Sequence, residues 1–203
     1  MAKVSCNYIR KIKKMNPNEL NRPIVFVVDM VNGFIKDGSM SDSSISEIVP
    51  AMQKFLHKVH PSIFICDSHD LNAREFESYP LHCIKNTEEV QVIDELKPYV
   101  KKIILKNSTN AFHTQKMQLF LSDELSHYQD IVIIGCCTDI CIMQFALSMN
   151  TYLNEKEMKN HRVIVPINMV ETYHVEGIHN AMKWNEIACD LMLANAINVV
   201  EME

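Results

Sequence analysis

Hydrophobic positions along this chain follow two alternating periods. Runs dense in Val, Ile, Leu and Phe recur at 24–29, 62–67, 102–106, 131–135, 162–167 and 197–200, each of strand length. Between them, at 45–59, 90–99, 115–125, 139–153 and 177–196, apolar residues return every three or four positions, the spacing of a helix with one buried face. Strand and helix alternate throughout, which predicts a parallel sheet covered by helices on both sides. The run Ile131-Val132-Ile133-Ile134 has no polar face, as suits a strand buried from both directions. The expectation is a three-layer α/β/α fold on a six-stranded, mainly parallel sheet. It forms one domain over 22–203, preceded by an N-terminal extension, 1–21. No Pro/Gly/Ser-rich linker or internal repeat divides it.

Composition removes several classes of function. The 203 residues include 25 acidic and 20 basic side chains, a formal charge of −5, and 47% are hydrophobic, enough to build a core rather than a disordered chain. The longest apolar run, 131–137, falls far short of the roughly 20 residues that cross a bilayer, so no membrane span is expected. Without a Lys/Arg stripe, nucleic acid is not an expected partner. Seven cysteines, Cys6, Cys66, Cys83, Cys136, Cys137, Cys141 and Cys189, show no framework spacing. The basic residues Lys3, Arg10, Lys11, Lys13 and Lys14 are not followed by the apolar stretch of a signal peptide. Both features fit free thiols in a reducing, cytoplasmic setting. The four glycines, Gly33, Gly38, Gly135 and Gly177, are too dispersed for a dinucleotide fingerprint or a P-loop.

In an open parallel sheet, ligands bind beyond the carboxyl ends of the strands, so the residues that close each strand matter most. The first expected strand ends in Asp29, the third in Lys106, and the fourth runs through Cys136-Cys137-Thr138-Asp139 into Cys141 at the start of a helix. A cysteine in a first helical turn faces free backbone N–H groups, which favours thiolate. An acidic base and a neighbouring cation would complete a nucleophilic set. Each residue alone has an ordinary structural use, Cys141 as a small apolar filler. Their gathering at three strand ends is what points to catalysis. A second group follows the strand at 62–67: Asp67 and His69, two apart in extended chain, then His82, with Glu75 between as a fourth donor. One carboxylate with two imidazoles suits a divalent ion, zinc foremost, with iron or manganese as alternatives. His57, His60, His113, His127, His161, His174 and His179 show no such grouping and are expected on the surface or in loops.

Five segments together resemble the isochorismatase-like cysteine hydrolases, in particular their nicotinamidase/pyrazinamidase branch. They are Val-Val-Asp29-Met-Val-Asn32-Gly-Phe34, Asp67-Ser-His69, Tyr79-Pro80-Leu-His82-Cys83, Lys106-Asn-Ser-Thr-Asn-Ala111-Phe112 and Gly135-Cys-Cys-Thr138-Asp139-Ile-Cys141. The resemblance runs in order from about residue 24 to 200. It implies an Asp29–Lys106–Cys141 triad, a divalent ion on Asp67, His69 and His82 with Glu75 a weaker carry-over, and a cis peptide between Cys136 and Cys137 that aims a backbone N–H at the substrate carbonyl. It further implies aromatic contacts to a pyridine from Phe34 and Tyr79, and hydrolysis of nicotinamide to nicotinate and ammonia through a cysteine thioester. Three positions depart from the family pattern: Gly33 replaces an Asp, Tyr79 a common Trp, and Asn86 a Gly. The first two touch the pocket and leave open another small amide or ureido substrate. Isochorismatase chemistry would give the metal cluster no purpose, and a non-catalytic scaffold would not need all three triad residues. The expected partner is a small-molecule amide. Family members assemble as dimers or tetramers, so a homo-oligomer stays open, with the helix at 139–153 serving either core or interface.

Overall fold

A computed structural model describes residues 12–203. Cys6 and most of the extension lie outside the described residues. The strands are β1 (Lys13–Met15), β2 (Pro23–Val28), β3 (Ser62–Asp67), β4 (Lys102–Lys106), β5 (Asp130–Cys136), β6 (Arg162–Pro166), β7 (Val170–Glu171) and β8 (Asn198–Met202). They form one eight-stranded sheet in the order β1-β8-β6-β5-β2-β3-β4, with β7 pairing onto β5, and every one of these pairings is parallel. The class is the expected α/β, with two strands more than the six expected. One of them, β1, pairs with β8 from within the stretch 1–21, so the sheet begins upstream of the expected domain boundary.

Alternation along each strand sorts the core into two faces. Ile24, Phe26, Val28, Ile63, Ile65, Ile131 and Ile133 point into a cluster shared with α3 (Gln115–Asp123), α4 (Met143–Glu155) and α5 (Ala181–Ala194). Val25, Val27, Phe64, Val132 and Ile134 point the other way, against α2 (Val49–Leu56) and the short α1 (Asn32–Ile35). Phe26 anchors the first cluster by edge-on contacts with Phe120 of α3 and Phe145 of α4, at 5.4 and 5.2 Å.

Local chemistry adjusts the expected helices. The stretch 45–59 starts as a 3-10 turn, Ser43–Ile48, and becomes α-helical at Val49, where Pro50 suits the first turn. The helix at 177–196 begins only at Ala181, capped by the Asn180 side chain, which accepts from the Lys183 N–H. The helix at 90–99 does not form. Short 3-10 turns at Glu88–Val90 and Lys97–Tyr99 flank that stretch, Val92 bridges to Val31, and Pro98 removes a donor that a helix would need. Val92, Ile93 and Leu96 are buried all the same, which is why the spacing looked helical. No described helix is long and apolar enough to cross a membrane.

The centre of the sheet positions the site. Val28 and Gly135 lie opposite each other where β2 and β5 pair, and Gly135 has φ of 121°. A Cβ there would stand 2.0 Å from the Val28 carbonyl oxygen, so only glycine lets the two strands close at this point. Asp29 and the cysteine turn emerge immediately beyond it.

Candidate active site

Parallel pairing brings the carboxyl ends of β2, β3, β4 and β5 to one edge, and four charged or nucleophilic side chains converge there. Asp29 follows β2 with φ of 54°, a left-handed conformation that Asp tolerates better than most residues. Its N–H donates to the Ile65 carbonyl, and its Oδ1 accepts the Asp67 N–H at 3.1 Å, which locks the carboxylate against β3. Lys106 closes β4, paired in register with Asp67. Its ammonium, without solvent exposure, lies 2.9 Å from Asp29 Oδ2, 2.5 Å from Asp67 Oδ1 and 3.8 Å from Cys141 Sγ. Cys141 sits in a π-turn, Thr138–Ile142, between β5 and α4. The peptide between Cys136 and Cys137 is cis, and the Cys136 thiol donates to the Asp29 carbonyl at 3.2 Å. The structure therefore brings Asp29, Lys106 and Cys141 together.

Burial decides how these groups titrate. It pushes Asp29 up to about 7, against the pull of Lys106 and with a further push from Asp67. Burial also opposes the charge on Lys106, but Asp29 and Asp67 outweigh it and hold the ammonium well above its ordinary value. For Asp67 burial is outweighed by Lys106 and by the neighbouring His69 and His82 rings, so this carboxylate stays below its usual range. Cys141 corrects an expectation: burial pushes its thiol well above the ordinary value, more than Lys106 lowers it, so the helical turn does not store a thiolate. The resting pair is a thiol beside a carboxylate able to take its proton.

The second group also assembles. Asp67, His69, Glu75 and His82 each offer one donor atom, all within 4.8 Å of one another. His69 Nδ1 is held by Asn107 Oδ1 at 2.9 Å and His82 Nδ1 by the Pro80 carbonyl at 2.7 Å, which leaves both Nε2 atoms for the cluster. Buried His69 Nε2 has no hydrogen-bond partner. An orphaned imidazole nitrogen 3.4 Å from Asp67 Oδ1 fits a bound divalent cation, because a cation would give that nitrogen the partner it lacks. Glu75, on the 3-10 turn Arg74–Glu77, completes the set from 4.0 Å beyond His82 Nε2.

A cavity of about 20 Å³ joins the two groups, lined by Asp29, Cys137 and Cys141 on one side and Asp67, Glu75 and His82 on the other, with Phe34 and Tyr79 among its walls. Phe34 packs 5.5 Å from the His82 ring. Sequence reasoning did not find Phe76, whose ring touches both His69 and His82, nor Met40, Thr109 and Ile140, which close the cavity. Phe76 and Met40 lie on a short 3-10 turn and in a loop, where no period marks them, whereas Thr109 and Ile140 fall inside the segments carrying Lys106 and Cys141. Asn107 had a signal, since it directly follows Lys106. His179 lies in the loop between β7 and α5, within the loop-or-surface expectation, but it is buried and bonded to Asp139 at 2.9 Å, a grouping the sequence did not show.

Comparisons with known proteins agree with this fold. The isochorismatase domain family model matches residues 23–186. Nicotinamidase 1 of Arabidopsis thaliana is 25% identical, covering 80% of this chain and 75% of that protein. The Bacillus subtilis nicotinamidase structure superposes with a TM-score of 0.69 at 21% identity, covering 89% of this chain and 100% of that one. The pyrazinamidase of Pyrococcus horikoshii, solved in complex with zinc, has a TM-score of 0.69 at 19% identity, with 89% and 99% covered. With most of the sheet and the whole candidate site inside the matched span, this chain belongs to the isochorismatase domain family of hydrolases.

Proposed function

We propose that this protein hydrolyses nicotinamide to nicotinate and ammonia through a thioester on Cys141. The observation that carries the reading is the shared cavity, in which a thiol–carboxylate–ammonium set and a carboxylate–imidazole cluster face the same small volume. Asp29 takes the Cys141 proton, and the sulfur attacks the amide carbonyl to form a tetrahedral oxyanion. The backbone N–H groups of Cys137 and Cys141 receive that oxygen. One such donor is typically worth on the order of 100-fold in rate. Protonated Asp29 then gives its proton to the departing nitrogen, ammonia leaves and the thioester remains. Water deprotonated by Asp29 attacks the thioester carbonyl, nicotinate is released and the thiol recovers its proton. Lys106 offsets the charge of Asp29 whenever that carboxylate is ionised and keeps it next to the sulfur.

Asp67, His69, His82 and Glu75 would hold a divalent ion, zinc being the first choice for this donor set, and its chemistry there is to accept the pyridine nitrogen. Phe34 and Tyr79 would flank the ring, so that the amide is oriented over the sulfur. The cavity has room for little more than a water molecule, so its walls must part as a ring enters.

Ammonia release from nicotinamide by the purified protein, before chelation, after it and after zinc is restored, tests the reading. Release that falls on chelation and returns with zinc is expected. No release from nicotinamide by the zinc-loaded protein, alongside turnover of an amide lacking a ring nitrogen, would move the substrate elsewhere.

A further inference from the structure

His179 takes no part in the mechanism above, yet both of its ring nitrogens are committed. It lies just before α5, after β7, and is buried. Nε2 stands 2.9 Å from Asp139 Oδ2, and Nδ1 stands 2.8 Å from the Tyr173 carbonyl oxygen. The ring is stacked on Tyr173, with centroids 3.9 Å apart and planes 12° apart, and on Trp184, at 5.3 Å and 6°. The other Asp139 oxygen accepts the hydroxyl of fully buried Thr172 at 2.5 Å. Asp139 belongs to the same turn as Cys141, two residues before it.

Counting protons gives this arrangement its meaning. The Tyr173 carbonyl can only accept, and so can an ionised Asp139. A neutral imidazole carries a single N–H, which satisfies one of the two. Both bonds form together only when the His179–Asp139 pair holds one more proton than a neutral ring beside a carboxylate supplies. Stacked aromatic rings suit a cation there. We propose that His179 is an imidazolium paired with Asp139, and that this pair, braced by Thr172, is a positioning device that holds the Cys141 turn against Asp29. The pairing also neutralises a carboxylate that would otherwise oppose negative charge developing at the sulfur and the oxyanion. His179 touches neither substrate nor reacting atoms, so its role is positioning.

The inference rests on Cys141 being the reacting thiol, and its test separates the two ideas. In His179→Gln and Thr172→Val, the alkylation rate of Cys141 by iodoacetamide is followed by mass spectrometry of the Cys141 peptide. It is read beside kcat and KM for nicotinamide per titratable Cys141. In His179→Gln both the alkylation rate and kcat are expected to fall at least tenfold with KM within twofold, and in Thr172→Val by a smaller factor. A merely structural role would lower the folded fraction and leave kcat per titrated site unchanged, and that result would overturn the proposal. Should wild-type protein release no ammonia from nicotinamide, the substrate reading fails while the alkylation arm still decides this one. Nitrogen NMR of His179 in the wild-type protein at pH 7 needs no variant to fold: both ring nitrogens protonated is the expected result, and a neutral ring sinks the proposal.

Discussion

Asp29 and Cys141 divide one proton between two unlike groups, and burial sets the terms. With the thiol pushed well above its ordinary value and Asp29 pushed up to about 7, the base works only when it has lost its own proton. Below about pH 7 Asp29 is protonated and cannot accept from Cys141. The acid limb of kcat/KM is therefore expected to fall tenfold per pH unit below an apparent pKa near 7. A limb that breaks near 4, the ordinary carboxylate range, would mean that burial does not raise Asp29 in the working enzyme. Cys141→Ala removes the nucleophile and touches none of the four cluster residues. Ammonia release should drop by on the order of 10⁴-fold or more, while zinc content measured by atomic absorption stays at the wild-type ratio. Residual turnover near wild type would end the thioester mechanism, and loss of zinc would show that the two groups are not separable.

At the scale of elements, the approach of β2 to β5 is what delivers Asp29 and the cysteine turn to the same place. Gly135→Ala inserts a methyl where 2.0 Å is available, at a φ of 121°. Overpacking and backbone strain together should cost about 3 kcal/mol or more, which for a domain of this size lowers Tm by roughly 10 °C. Thermal unfolding of the variant checks this, and an unchanged Tm would show that the strands part without cost. The central strands were legible because both of their faces are buried, leaving β-branched runs with no polar alternation, and edge strand β4 because Ile103 and Leu105 on its exposed face are apolar as well. Neither β1 nor β7 was legible: Lys-Lys-Met and Val-Glu are too short and too polar for any period, and backbone pairing alone places them in the sheet. The false helix at 90–99 shows the converse, since Val92, Ile93 and Leu96 bury at helical spacing without forming one. Residues at strand ends could be found because a parallel sheet fixes where such ends gather. His179 could not, because its partner Asp139 lies 40 residues earlier and no local pattern announces the contact.

At the scale of the whole molecule, the cluster of Asp67, His69, Glu75 and His82 ties separate parts of the chain to one point. Asp67 closes β3, His69 bridges to Ile84, Glu75 rides on a 3-10 turn, and His82 comes back from the end of that excursion. Without a cation, several buried donors of one kind face each other, and His69 Nε2 has no hydrogen-bond partner. An ion bound only by the folded chain must therefore stabilise the fold as well as serve the site. At free zinc 100 times its Kd the gain is about 2.7 kcal/mol, or roughly 5 to 10 °C in Tm for a chain of this length. Chelated protein titrated with zinc in a thermal melt should show that rise. His82→Ala, which removes a donor while leaving His69 and its Asn107 anchor, should lose most of it at the same zinc concentration. An equal rise in the variant would place the bound zinc at some other site on the protein. Zinc binding without any rise in the wild type would mean that the unfolded chain binds zinc as tightly as the folded one.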